Sequence, residues 1–204
     1  MVDQATRRAR TRAKLLDASL QVIRQKGYAA TTVDDICREA GVTKGSFFHH
    51  FETKQDLAIA AAAHFGEMAA GLFGSAPFQD LEDPLERVLG YIDFRTQILR
   101  GDLPQFTCLL GTMVQETYDT QPAIRAACEA GIFGHAEEVA RDIEAARVKY
   151  LPDADWSARS LALHTQAVLQ GAFILAKAQG GPAVAVDSVR HLRRYVQMLF
   201  ADAA

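Results

Sequence analysis

Hydrophobic positions along this 204-residue chain recur at three- and four-residue intervals almost throughout. That is the spacing of one helix face, and no segment keeps the two-residue alternation of a half-buried strand, so the expected fold class is all-α. From Thr6 to Lys26, Leu15, Leu16, Ala18, Leu20, Val22 and Ile23 form a broad apolar stripe that Gly27 ends. Arg7, Arg8, Arg10 and Arg12 precede the stripe and read either as a partly disordered arm along DNA or as a solvated tail. Thr32 with Asp35 three residues on predicts a capped helix whose inner face is Val33, Ile36, Cys37 and Ala40, stopped by Gly41. Thr43 opens a third helix through Lys44–Phe51, about two turns long.

A second capping pair, Thr53 and Asp56, starts a fourth helix to near Leu72. Further helices are expected from Asp83-Pro84 to near Arg100, over Gln105–Tyr118, and from Gln121-Pro122 to near Val148. The last two span Asp155–Gln179 and Ala185–Phe200. The first of these is apolar almost all round, which calls for cover from a second copy of the chain.

Composition narrows the class. No apolar run near the roughly 18 residues of a membrane span is read from the sequence, and the N-terminus lacks a signal-peptide core, so no membrane association and a cytoplasmic location are expected. Cys37, Cys108 and Cys128 fit neither a disulfide framework nor a metal knuckle. The net charge of −3 hides an asymmetry: ten basic against six acidic residues in 1–55, and twelve against nineteen in 56–204. A basic N-terminal part on an acidic body suits a DNA-binding head, because phosphate neutralisation is local.

Two short helices joined by a glycine turn make a helix-turn-helix. The second carries Thr43, Lys44, Ser46, His49 and His50 as polar groups, with Phe47 and Phe51 one turn apart for the core. Gly45 leaves its backbone open to close approach. Such a helix fits a major groove, with threonine, lysine and histidine reaching base edges or phosphates.

Gly27-Tyr28, Thr31-Thr32, Ile36–Ala40, Gly41-Val42-Thr43-Lys44-Gly45, Phe47-Phe48-His49-His50-Phe51 and Lys54 resemble the TetR family of one-component transcriptional repressors. The resemblance implies a DNA-binding head over 1–52 and an effector-binding and dimerisation body over 53–204. It implies a homodimer through the last two helices, a palindromic double-stranded operator and a small-molecule effector. Thr43, Lys44 and His49 are expected to read bases, while Thr32, Ser46, His50 and Lys54 position the backbone. Phe48 departs from the tyrosine usual there, whose hydroxyl touches a phosphate.

For the effector, apolar walls with a few polar groups are expected from Phe65, Met68, Phe94, Ile98, Met113, Phe133, His135, His164, Gln170 and Phe173. Thr107–Gly111 with Glu116, and Gly171-Ala172 followed by Ala176-Lys177, resemble the NemR-like electrophile-responsive members. That resemblance implies a sensing Cys108 activated by Lys177. No Gly-x-Ser-x-Gly elbow, Walker loop or dinucleotide fingerprint is present, so no enzyme and no cofactor are expected. The pairs His64/Glu67 and His135/Glu138 are too sparse for a metal site. The reading is a ligand-responsive repressor; the alternative is a helical small-molecule carrier with a vestigial head.

Overall fold

The computed structural model describes residues 4–201, which form helices and connecting turns without a strand among them. In chain order these are α1 (Gln4–Lys26), α2 (Val33–Ala40), α3 (Lys44–His50), α4 (Lys54–Gly74), a 3-10 turn (Pro77–Asp80) and α5 (Pro84–Ile98). There follow α6 (Leu103–Phe106), α7 (Leu109–Thr117), α8 (Pro122–Tyr150), α9 (Ala158–Gln179) and α10 (Ala183–Ala201).

The chain divides into two compact units. One holds the residues up to Ala69 together with Thr107–Gly131, and the other holds Ala70–Phe106 with the residues from Ile132 onward. These compact units run across the functional division expected at 52/53. The first unit continues well into α4 and takes in α7, because side chains bolt α7 to the end of α1. Arg24 Nη1 donates to the Thr107 carbonyl at 3.3 Å, and Glu116 Oε2 accepts from the Ala29 N–H at 2.7 Å. The core of this unit is Leu15, Ile23, Ile36, Phe47, Leu57, Leu109, Met113 and Ile124, all essentially inaccessible.

In the second unit, α10 packs against α9 and α5, around Ile92, Ile143, Leu169 and Val189. Asp83 caps α5 by accepting from the amides of Leu85 and Glu86, and it also takes Lys149 at 2.6 Å and the Tyr150 hydroxyl. Four large apolar side chains on α9 and α10, Ile174, Leu175, Tyr195 and Met198, stay about half exposed or more within the chain.

Three further differences have local causes. The arginine-rich start is helical from Gln4, continuous with the stripe behind it. The single helix expected over 105–118 is interrupted, because Cys108 leaves the helical region at ψ 124 and caps α7, its Sγ accepting from the Gly111 N–H at 3.4 Å. Finally, α4 is long and apolar enough to cross a membrane by length and composition, with a mean hydropathy of 1.4. The sequence reading missed this because the run is built largely of alanine, which raises hydropathy while burying little area. Here Leu57, Ala58, Ala61 and Ala62 pack into the first unit.

Candidate nucleic-acid interface and ligand cavity

The α2–turn–α3 geometry follows from its caps. Thr32 Oγ1 accepts from the Asp35 N–H at 3.1 Å, while Asp35 Oδ2 accepts from the Thr32 N–H at 2.9 Å, which closes a capping box. Lys26 of α1 reaches the same carboxylate. The Lys26 and Thr32 hydrogen bonds hold Asp35 well below the usual carboxylate range. Gly41 ends α2 at φ 63, a left-handed conformation that disfavours any side chain. Thr43 then caps α3, its Oγ1 accepting from the Ser46 N–H at 3.2 Å.

These caps decide which way α3 faces. Phe47 is fully buried and Phe51 nearly so, their rings 5.8 Å apart. Thr43, Lys44, Gly45, Phe48 and His49 are therefore exposed, and Ser46 and His50 are half-buried. Phe48 leaves 51% of its surface open, with its ring edge-on to Phe47 at 5.2 Å. Lys44 pairs with Asp34 at 3.0 Å, an exposed contact that a phosphate can displace at little cost.

Arg8 and Arg12 of α1 lie close enough to His50 to depress its pKa, after burial and His49. Arg12 also stands 5.4 Å from the centre of the Phe51 ring. A continuous α1 thus carries two guanidinium groups to the rim of the α3 surface. The apolar stripe could have shown this, since Arg8 and Arg12 are four apart and lead into Leu15 and Leu16.

Two residues expected at this surface have other partners. Lys54 is turned inward: Nζ donates to the carbonyls of Tyr28 at 3.0 Å and Thr31 at 2.9 Å, and it lies 4.2 Å from the centre of the Tyr28 ring. Burial lowers its pKa, partly offset by Glu116. Lys54 thus holds the α1–α2 turn in this structure. Thr32 is exposed, with its hydroxyl engaged in its own cap.

The residues expected around an effector are divided between the units. Phe65, Met68, Cys108 and Met113 belong to the first, whereas Phe94, Ile98, His135, His164, Gln170, Phe173 and Lys177 belong to the second. Met113 is fully buried core, while Met68 is half exposed. His164 is exposed with its ring against Tyr195, and Phe133 is exposed beside Arg159. Within the first unit Arg24, half-buried beside Phe65, has its pKa lowered by burial and partly restored by its electrostatic interaction with Cys108. The expected activator Lys177 sits in the other unit. Burial, followed by Cys108, pushes the Cys128 thiol up to about 12.

A small cavity of about 40 Å³ lies in the second unit, lined by Phe73, Phe78, Gln79, Val88, Tyr91, His135, Glu138, Val139 and Asp142. Of the expected effector residues only His135 lines it. Tyr91 and Arg95, one turn apart on α5, both bond to His135 Nε2, at 3.0 and 2.8 Å. Burial, and then Arg95, press the His135 pKa down to about 3, so the ring is neutral with its proton on Nδ1, 3.5 Å from Glu138. Sequence reasoning missed Phe73, Tyr91 and Arg95 because their meeting with His135 depends on the packing of α4, α5 and α8.

An all-helical chain that presents a capped helix-turn-helix with a polar outer face and a basic rim has the architecture of the helix-turn-helix regulators. Residues 15–61 match the family model described as bacterial regulatory proteins, tetR family. Residues 84–184 match that of the LmrA/YxaF-like transcriptional regulator C-terminal domain. The chain belongs to the TetR family.

Among its relatives, the transcriptional regulator AcuR of Cereibacter sphaeroides is 30% identical over 102 residues, 50% of this chain and 47% of that protein. The chain spans less than half the length of the curated relatives it matches. A TetR regulatory protein from Rhodobacter sphaeroides is similar in structure, with 28% identity and a TM-score of 0.78 over 89% of this chain and 96% of that one. Reduced NemR from E. coli shares the fold, with 22% identity and a TM-score of 0.73 over 90% of this chain and 96% of that one.

Proposed function

We propose that this protein is a cytoplasmic, ligand-responsive transcriptional repressor that binds a palindromic operator as a homodimer. The observation that carries this reading is the outer face of α3. Thr43, Lys44 and His49 project from a short helix held by two caps, and Arg8 and Arg12 form a cationic rim beside it, next to His50. Thr43, Lys44 and His49 read base edges, with Gly45 allowing close approach; Ser46, His50 and the α1 arginines position the phosphates, and Phe48 contributes apolar contact. The half-exposed Ile174, Leu175, Tyr195 and Met198 supply the surface through which a second copy docks. A twofold dimer then sets two heads about 34–36 Å apart on one side of the duplex. An effector must favour the released state by about 5 kcal/mol to empty a filled operator.

The test is fluorescence anisotropy on DNA flanking the protein's own gene, across a salt series, with native mass spectrometry for the assembly. A repressor shows site preference, a steep salt slope and a dimer mass. Binding without site preference, or a monomer at working concentration, favours the alternative of a small-molecule carrier with a vestigial head. A covalent route for the effector is supported by Cys108, which caps α7 with a half-buried guanidinium beside it. Operator release by N-ethylmaleimide that is lost in Cys108→Ser tests it, and unchanged release in that variant rejects it.

A further inference from the structure

Arg95 is a permanent cation in a half-buried setting whose hydrogen-bond partners are neutral. Its Nε donates to Tyr91 Oη at 2.9 Å and its Nη2 to His135 Nε2 at 2.8 Å, and the guanidinium carbon lies 4.2 Å from the centre of the Phe73 ring. The nearby acids are engaged elsewhere. Asp93 bonds Arg193 at 2.6 Å, Asp142 bonds Arg87 at 2.8 Å, and Glu138 faces the opposite nitrogen of His135. Among the described residues no carboxylate pairs with Arg95, and its Nη1 makes no hydrogen bond.

A guanidinium binds a carboxylate about twice as strongly as a neutral acceptor and presents Nη1 and Nη2 as a parallel fork. Phe73, Tyr91 and His135, the three groups that hold Arg95, are also walls of the cavity. That cavity, about 40 Å³, is well below the roughly 150 Å³ known to admit a benzene ring, so the apolar part of any ligand it takes without expansion is short.

We propose that Arg95 and the adjoining aromatic cavity recognise a small organic monocarboxylate. The carboxylate takes the Nη1/Nη2 edge of Arg95 in place of His135 Nε2, and the apolar part enters between Phe73, Phe78 and Tyr91. An organic cation is the disfavoured occupant: of the two carboxylates that line the cavity, Asp142 is already paired with Arg87 and Glu138 is half solvated, while the Arg95 charge lies against Phe73, Tyr91 and His135 of the wall. The inference deepens the reading of the chain as a ligand-responsive regulator and rests on it for its biological meaning.

The experiment uses the full chain. Operator binding without ligand is measured first; its absence counts against the regulator reading alone. Propionate and butyrate are then compared with propionamide, butyramide and tetramethylammonium by calorimetry and thermal shift. Saturable binding of a carboxylate but not of its amide is expected, with affinity lowered about tenfold or more in Arg95→Gln and partly retained in Arg95→Lys. Should Arg95→Gln fail to fold, the contrast between acid and amide in the native protein still decides, read also from the His135 ring resonances during titration. Equal binding of acid and amide, binding of neither acid, binding of the cation alone, or undiminished affinity in folded Arg95→Gln overturns the proposal.

Discussion

Glu116 of α7 closes onto Gly27 at the end of α1: its Oε1 takes up the space a Cβ on residue 27 would need, while its Oε2 accepts from the Ala29 N–H at 2.7 Å. Gly27 also holds φ +87, a conformation other residues adopt with strain. Gly27→Ala is therefore expected to destabilise the protein by about 1–3 kcal/mol, measured by urea unfolding. Adding Glu116→Ala relieves only the steric part, because the backbone strain remains.

Lys54 and Lys44 differ in what their ammonium groups do. Lys54→Met removes donors from the Tyr28 and Thr31 carbonyls and is expected to lower stability by about 1–3 kcal/mol while leaving the salt slope of operator binding unchanged. Lys44→Ala is expected to leave stability nearly unaltered, since its pair with Asp34 is exposed, and to reduce the slope by about one. A lost slope unit in the Lys54 variant contradicts its assignment to the α1–α2 turn.

The two adjacent phenylalanines of α3 should separate stability from binding. Phe47→Ala empties a fully buried position and is expected to cost about 3–5 kcal/mol. Phe48→Ala removes a half-exposed ring and should change stability by under about 0.5 kcal/mol while weakening operator affinity. Calorimetric melting and anisotropy on both variants check this.

His135 makes stability fall with acid. Its folded pKa of about 3 lies below the usual 6.5, so below pH 6.5 the unfolded chain takes up a proton that the folded one refuses. Stability is unaffected by this group above 6.5 and declines between about 6.5 and 3, at a limiting slope of roughly 1.4 kcal/mol per pH unit. Subtracting the curve of His135→Gln from that of the wild type isolates the effect, and a flat difference rejects it.

The head was largely legible because its signals are local. Thr32, Asp35, Gly41 and Thr43 act on backbone within four residues of themselves, so their spacing specifies where α2 and α3 start and stop. Phe47 and Phe51, one turn apart, say which side of α3 turns inward. The break at Cys108 was not legible, because the helical pattern of Phe106, Leu109, Leu110 and Met113 continues across it. The ligand region was read poorly for a related reason: Phe and Met at helical spacing mark core whether or not a cavity lies beside them.

By itself, then, the sequence determined the all-helical class, the capped helix-turn-helix and the outward residues of α3, since periodicity and capping depend on neighbours along the chain. Tertiary structure alone decided that α7 belongs with the unit that holds the helix-turn-helix, that Lys54 turns inward and that Arg95 meets Tyr91 and His135 with no carboxylate pairing among the described residues. Those outcomes join residues from 4 to 87 positions apart, and which of many chemically suitable partners a side chain meets is set by how the helices pack.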